Sequence, residues 1–182
     1  MKNKISIGIV SIIFVLFIVL SVSTINAESS SGNDTMLSTS KDGIVINYPS
    51  DWGYSKASSN TSIMAFSKLD SIDSSGIGQV NINIEKKSLG GSDFKTFVDK
   101  MYKSLQKDKS FKLISSGDVM VQDIQGLEYV YTSSELGGQR QHKAVWFEKN
   151  NQAYVLLYSA PADQFESNLY IFEYILENME IT

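Results

Sequence analysis

The sequence predicts an α+β fold, a single antiparallel β-sheet of about six or seven strands flanked by helices on both faces. Short segments with alternating apolar and polar residues recur along the chain between turn residues, as is typical of antiparallel sheets. Two further segments carry apolar residues at helical spacing. The segment 153–159 is apolar on both of its faces, which indicates that the sheet is covered on both sides.

The chain begins with a membrane-targeting segment. Lys2 and Lys4 precede residues 5–27, which carry no charge, and this order is typical of an export signal. Cleavage after Ala27 is one outcome, and retention as a membrane anchor is the other, because the apolar part is long enough to span a bilayer. In both cases the rest of the chain is expected outside the cytoplasm. Because the chain has no cysteine, a bacterial lipid anchor is excluded.

Residues 28–40 are rich in serine and predict a flexible linker. Residues 41–182 then form one domain, which must rely on a hydrophobic core because it has no disulfide. Asn33 and Asn60 each begin an Asn-x-Ser/Thr sequence and are candidate glycosylation sites in an exported chain. The alternative is that both matches arise by chance in a Ser/Thr-rich sequence.

The strand candidates show alternating or wholly apolar patterns and are found at 44–48, 53–56, 62–68, 79–86, 111–121, 126–134, 139–149 and 152–160. The segment 79–86 has the cleanest alternation, with Val80, Ile82 and Ile84 on one face. Turn residues separate the later strands at 123–126, 137–138 and 150–151. The last two turns, Gly-Gly and Asn-Asn, predict tight hairpins.

Two amphipathic helices are predicted between and after these strands. Ser92 is expected to cap the first helix, which runs to about Lys107. The second helix is expected to begin near Asp163, with Glu166 placed to complete a capping box. The apolar residues expected on the buried faces are Phe94, Phe97, Val98, Met101 and Leu105 in the first helix and Phe165, Leu169, Phe172, Leu176 and Met179 in the second.

The charge of the chain argues against nucleic acid as a partner. Without residues 1–27 the chain has 14 basic and 20 acidic residues, a net charge of −6, and Arg140 is its only arginine. Binding to nucleic acid requires a basic face, preferably one with arginine. A protein or an envelope component is the expected partner, and the membrane is a further one if the N-terminal segment is retained.

No set of residues predicts catalysis, and no cofactor or metal site is predicted. His142 is the only histidine, and no Gly-x-Ser-x-Gly sequence accompanies it. It is expected to be a surface or hydrogen-bonded strand histidine. The glycine pairs lack the neighbouring residues of phosphate-binding motifs and are expected to form turns.

Two Ser/Gly-rich loops, at 50–62 and 69–78, are the predicted contact surface for a partner, with Trp52, Asp70 and Asp73 as the candidate contact residues. Packing beneath a turn is the favoured alternative for Trp52, because large aromatic side chains most often serve packing. Asp70 and Asp73 could also supply oxygen ligands to calcium, but their spacing does not fit an EF-hand loop, so a solvated loop is favoured.

The segment Gly-Ile-Val-Ile-Asn-Tyr-Pro-Ser-Asp-Trp at 43–52 resembles the opening strand and turn of PsbP-like domains. Further landmarks follow in the family's order, namely Ala65-Phe66, the strand 81–84, a helix ending in Leu105, Gly126 before Tyr129 and Tyr131, the strand 154–160, and Ile175-Leu176. The resemblance covers residues 41–182 and implies an α/β/α sandwich. With no plastid transit peptide, the chain resembles the non-photosynthetic prokaryotic branch of the family.

The landmarks are mostly packing and turn residues, so the resemblance is specific for fold and weak for activity. Relatives of this fold share binding rather than chemistry, and the resemblance therefore implies a role in binding. We therefore expect an exported, cell-surface or membrane-tethered, non-catalytic interaction module. A chaperone-like envelope protein that holds an apolar segment of a partner is the alternative, as implied by some relatives of this fold. An enzyme of unknown type comes third.

Overall fold

The computed structural model describes residues 35–56, 61–135 and 138–182. They form ten strands and two helices. The elements, in chain order, are β1 (Met36–Lys41), β2 (Ile44–Pro49), β3 (Trp52–Lys56), β4 (Ser62–Lys68), β5 (Asn81–Ser88), α1 (Phe94–Leu105), β6 (Lys112–Val121), β7 (Ile124–Glu135), β8 (Gly138–Lys149), β9 (Gln152–Pro161), α2 (Phe165–Asn178) and β10 (Glu180–Ile181).

The strands form two sheets rather than the single sheet that the sequence predicted. The larger sheet has seven strands in the order β3-β4-β5-β9-β8-β7-β6, and all neighbours in it are antiparallel. A smaller sheet has the order β1-β2-β10. The predicted first strand, β2, lies in the smaller sheet because β1 and β10 pair with its two edges and leave neither edge for the larger sheet.

The sequence predicted a linker over 28–40. This prediction is wrong for the last five of these residues, which belong to β1. This strand pairs with β2 from Met36 opposite Pro49 to Lys41 opposite Ile44. The intervening Asp42 and Gly43 both have positive φ, at 53° and 77°, as a tight two-residue hairpin requires. The polar pattern of β1 did not indicate a strand because its pairing rests on backbone hydrogen bonds with β2.

β9 lies at the centre of the larger sheet, between β5 and β8, and every side chain from 153 to 160 is buried. Its alternate residues belong to two separate cores. Tyr154, Leu156 and Tyr158 pack with α2 and β2, whereas Val155 and Leu157 pack with α1. The prediction that both faces of this strand are covered is confirmed, and a helix lies on each face of the larger sheet.

The helix starts differ from the predicted ones. Asp93, not Ser92, is the N-cap of α1, and its side chain accepts a hydrogen bond from the backbone N–H of Thr96. α2 follows Gln164, whose side chain makes no capping hydrogen bond, so the predicted capping box is absent. The helices themselves lie close to the predicted ranges because the spacing of their apolar residues sets their buried faces.

Two predicted turns have different outcomes in the structure. Asn150 and Asn151 both have positive φ, at 53° and 60°, and join β8 to β9 as predicted. The turn predicted at 123–126 is instead a two-residue hairpin, with Gln122 at φ 55°. Gly126 lies inside β7, where a Cβ atom would be 2.4 Å from the carbonyl oxygen of Trp146. This glycine therefore allows a close backbone approach rather than a turn.

Candidate functional site

The loop at residues 69–78 joins β4 to β5 and is held by its own hydrogen bonds. It opens with a 3₁₀ turn, Leu69–Ser71. The hydroxyl of Ser71 donates to the carbonyl of Lys68 at 2.7 Å and accepts from the backbone N–H of Val80 at 3.0 Å. These two bonds join the first residues of the loop to the residues that follow it. The loop is therefore fixed at its base.

Asp73 organises the middle of the 69–78 loop. Its Oδ1 accepts from the backbone N–H of Ser75 at 2.8 Å and of Ile77 at 3.0 Å, as aspartates do in tight turns. Its Oδ2 accepts from the Nε2 of Gln79 at 2.8 Å. Both carboxylate oxygens therefore serve the fold of the loop. Whether Asp73 also contacts a partner stays a prediction.

Arg140 connects the 69–78 loop to β8. Its guanidinium donates from Nη2 to the backbone carbonyl of Gln79 at 2.6 Å and from Nη1 to the side-chain Oε1 of Gln79 at 3.2 Å. Since Gln79 also donates to Asp73, a continuous polar path runs from the loop to the start of β8. Such bonds to a charged donor are stronger than neutral ones. Neither Arg140 nor Gln79 was predicted to take part in the site.

Gly78 brings the end of the same loop against β4. A Cβ atom at this position would lie 2.3 Å from the Oγ and 2.4 Å from the Cβ of Ser67, closer than packed atoms come. Ser67 is only 1% exposed. The position therefore requires glycine for space, and the close contact seats the loop on the sheet.

Leu69 and Asp70 lie in the 3₁₀ turn that opens the loop, and both side chains are exposed. Leu69 is 49% exposed, and its backbone N–H donates to the carbonyl of Asp51 at 2.9 Å, which ties the opening turn to the turn before β3. The carboxylate of Asp70 lies 3.2 Å from the Nζ of Lys68, and its side chain is 72% exposed. A surface ion pair of this kind contributes little to stability. The opening turn thus presents an apolar and an acidic side chain on a fixed backbone.

Trp52 does not belong to this surface. It is 2% exposed and lies in the core that packs against α2, because it starts β3 opposite Lys68 with its side chain turned inward. The packing alternative for Trp52 is therefore correct, and the proposed contact role is not. In the predicted contact loop at 50–62, residues 52–56 belong to β3 and Ser62 begins β4, whereas residues 57–60 lie outside the described residues.

His142 is a buried strand histidine with hydrogen bonds to two hydroxyl groups. Its Nδ1 lies 2.7 Å from the Oγ of Ser159 and its Nε2 lies 2.8 Å from the Oγ of Ser133. The imidazole also stacks on the ring of Tyr131, with 4.6 Å between the ring centroids. The side chain is 5% exposed, so the expectation of a hydrogen-bonded histidine holds and that of a surface histidine does not.

The environment of His142 keeps its imidazole neutral. Burial, with a smaller effect from the nearby Arg140 charge, lowers the pKa of His142 to about 3. A general base works best when its pKa lies near the working pH, so His142 is a weak base. The two serine hydroxyls and the imidazole therefore form a structural hydrogen-bonded group that links β7, β8 and β9.

A small apolar cavity lies beneath α1. Its lining includes Met101, Leu105 and Trp146, and its volume of about 10 Å³ is room for about one water. Beside it the Nε1 of Trp146 donates to the hydroxyl of Tyr102 at 3.0 Å, and the Tyr102 ring stacks on Tyr129. Burial raises the pKa of Tyr102 well above its usual value. These contacts are those of a packed core.

The described residues bear on the predictions about metal binding and membrane crossing, but not on the export segment or the glycosylation candidates. Within residues 35–56, 61–135 and 138–182, no three His, Cys, Asp or Glu residues come close enough to hold a metal ion. Neither α1 nor α2 is long and apolar enough to cross a membrane. Residues 1–34, with Asn33, and Asn60 lie outside the described residues.

The fold, with a helix on each face of an antiparallel sheet, is PsbP-like. It is similar to the solution structure of cyanobacterial PsbP (CyanoP) from Synechocystis sp. PCC 6803, with a TM-score of 0.60, 12% identity, and coverage of 86% of this chain and 98% of that chain. This supports the predicted resemblance at the level of fold.

Two bacterial proteins share the fold. LpqN of Mycobacterium tuberculosis, described as involved in cell envelope biogenesis, has a TM-score of 0.60 and 17% identity, over 81% of this chain and 91% of that chain. PA94 from Pseudomonas aeruginosa, a putative regulator of unknown function, has a TM-score of 0.52 and 12% identity, over 79% of this chain and 94% of that chain. No family model and no curated protein matches the sequence.

Proposed function

We propose that this protein is an exported, non-catalytic binding module that contacts a protein or an envelope component through the opening turn of its 69–78 loop. One observation carries the proposal. The opening turn exposes Leu69 and Asp70 on a backbone that is held by Ser71, Asp73 and the bonds from Arg140 to Gln79.

A fixed loop favours binding because its ordering cost is met when the domain folds. Loops that order only on binding lose affinity to conformational entropy. Leu69 can bury apolar surface in a partner, and Asp70 can meet a basic group beside it. The expected partner surface is therefore an apolar recess next to a lysine or arginine.

The export part of the proposal rests on the sequence before the domain. Lys2 and Lys4 followed by the uncharged residues 5–27 have the order of an export signal. The envelope role given for LpqN, which shares the fold, is consistent with work outside the cytoplasm. External protease on intact cells tests this part. Resistance of the domain until the cells are lysed, when the purified domain is readily cut, would contradict export.

The non-catalytic part rests on His142. It is a weak base in a buried group of hydroxyls, and its neighbours Ser133 and Ser159 are held by it. The chaperone-like alternative and an unidentified enzymatic activity stay predictions, and no specific observation on the described residues favours either of them.

The test of the contact is site-specific crosslinking of the full chain in intact cells. A photoreactive amino acid at Asp70 should capture one discrete partner band, whereas the same amino acid at Tyr170, which is 63% exposed on α2, should not. The double change Leu69→Glu and Asp70→Lys, with the photoreactive group moved to Ser74, should remove the band without lowering the melting temperature. Equal capture from Asp70 and Tyr170 would refute the loop as the contact.

A further inference from the structure

β6 is a long exposed edge strand. It is ten residues long, lies at the end of the seven-stranded sheet, and has β7 as its neighbour among the described strands. Residues 112–118 are all exposed, and the exposed large apolar side chains of the strand are Leu113 at 43%, Ile114 at 56% and Met120 at 58%. The pairing with β7 shifts register between Leu113 and Ser115, so Ile114 is a bulged residue and the regular part of β6 begins at Ser115. An exposed edge of this kind is a template for pairing with a further strand.

The hairpin at Gln122 and Asp123 determines which backbone groups of β6 are available. In a two-residue hairpin the flanking residues, here Val121 and Ile124, form a hydrogen-bonded pair. Hydrogen-bonded and non-hydrogen-bonded pairs then alternate along the ladder. The N–H and C=O groups of the even-numbered residues 116, 118 and 120 therefore point away from β7.

We propose that β6 pairs with β6 of a second copy of this chain, antiparallel and with the two-fold axis at Gly117. In this register residue 116 lies opposite residue 118 of the second copy, so outward-pointing backbone groups meet outward-pointing backbone groups. The hydroxyl of Ser116 then faces the carboxylate of Asp118. The regular pairing runs from Ser115 to Val119 in each copy, because the bulge at Ile114 interrupts the alternation of side chains beyond it.

Gly117 suits the position on the axis. It pairs with Glu128 of β7, so its own backbone groups point inward, and its contact with the second Gly117 is a non-hydrogen-bonded pair. Such pairs bring the two Cα atoms to about 4.5 Å, the closest approach in an antiparallel sheet. No atom of the chain lies within 4 Å of a Cβ placed at Gly117, so a small side chain fits there.

The complementarity argues for a second copy rather than an unrelated strand. A partner chain would have to supply a carboxylate opposite Ser116 and a hydroxyl opposite Asp118. β6 itself supplies this order when it is reversed. The surface is separate from the 69–78 loop, which adjoins β4 and β5, so the dimer and the partner contact can fail independently.

Single cysteines test the register, because the chain has none of its own. Full-length variants Ser116→Cys, Gly117→Cys and Asp118→Cys, with Asp123→Cys at the hairpin as the matched exposed control, are oxidised in cells with a membrane-permeant reagent. The Cα separation expected at Gly117 lies within the range for a disulfide. We expect disulfide dimers of Gly117→Cys to exceed those of Asp123→Cys by about tenfold, because pairing raises the local thiol concentration.

Equal crosslinking at Gly117 and Asp123 overturns the dimer, and a maximum at Ser116 or Asp118 overturns the register. A second variant tests the backbone pairing. Ser116→Pro removes an outward N–H that β7 does not use, so in the Gly117→Cys background it should reduce the crosslink to the control level, whereas Ser116→Ala should retain most of it. Thermal melting of each variant shows whether the domain is folded. An unchanged crosslink in a folded Ser116→Pro variant contradicts strand pairing.

Discussion

β9 and β6 are both ten residues long and belong to the same sheet, but their surroundings are opposite. β9 has a strand on each side and a helix over each face, and its side chains from 153 to 160 are buried. β6 has one strand neighbour, and nearly all of its side chains are exposed. Strand length therefore follows from pairing along one edge, whereas burial follows from what covers the faces.

The two strands should therefore respond differently to the same kind of mutation. Leu156→Asp in β9 places a carboxylate at a position that is 0% exposed, where it has no room for water or a partner. We expect a loss of at least about 4 kcal/mol, which is a large part of the roughly 5 to 15 kcal/mol by which most domains are stable. Circular dichroism and urea titration measure it.

Ile114→Asp in β6 is the matched control for Leu156→Asp, because Ile114 is 56% exposed. We expect this variant to fold with nearly the stability of the original chain. A Leu156→Asp protein that melted at the original temperature would show that β9 is not the centre of the core.

The second largest effect is a pH dependence at the junction of β7, β8 and β9. His142 has a pKa of about 3 when folded, against about 6.5 in an unfolded chain. Below pH 6.5 the unfolded chain binds a proton that the folded chain does not, so stability falls as pH falls towards 3. Between pH 7 and pH 5 this amounts to about 2 kcal/mol.

His142→Gln removes the titrating group and keeps polar atoms for Ser133 and Ser159. Urea unfolding at pH 7 and pH 5 should show a smaller loss of stability in this variant than in the original chain, by about 2 kcal/mol. The comparison uses the change with pH, so a constant cost of the substitution cancels. An identical pH dependence in both proteins would mean that the imidazole is protonated in the folded domain.

A smaller effect is expected at the 69–78 loop, where Asp73 and Asp70 can be compared. Asp73→Ala removes the oxygen that accepts from two backbone N–H groups and the oxygen that accepts from the Gln79 side chain, with an expected cost of about 1 kcal/mol. Asp70→Ala removes an exposed ion pair and should change stability by less than about 0.5 kcal/mol.

Amide hydrogen exchange separates the two variants locally. The N–H groups of Ser75 and Ile77 should exchange faster in Asp73→Ala, because they lose their acceptor, and at the original rate in Asp70→Ala. If both variants left these rates unchanged, Asp73 would not be the residue that organises the loop.

The parts of the fold that the sequence predicted are those in which one segment carries the whole signal. Apolar residues on both faces of β9 indicated a covered strand, and Asn150 with Asn151 indicated a hairpin, because each pattern is complete within a few residues. β1 and the two-residue β10 were not predicted. Both strands form by pairing with β2, and backbone pairing depends little on which side chains the strand carries.

The candidate site was predicted only in part for a similar reason. Asp70 and Asp73 were found because they lie in a Ser/Gly-rich loop. The bond from Arg140 to Gln79 joins residues 61 positions apart, and it exists because the register of the larger sheet brings the start of β8 near the end of the loop. The only local signal was that Arg140 is the single arginine of the chain.

The smallest expected effect is at the edge of the sheet. Met120→Ser in β6 should change the free energy of unfolding of the monomer by less than about 0.5 kcal/mol, because surface positions without a partner in the chain contribute little. Leu156→Ala in β9 should cost about 2 to 5 kcal/mol for the loss of a comparable apolar volume. Urea unfolding at low protein concentration measures both, since dilution removes any contribution from association. A cost of several kcal/mol for Met120→Ser under these conditions would mean that Met120, at 58% exposure, is packed within its own chain, and the contrast between the two strands would fail.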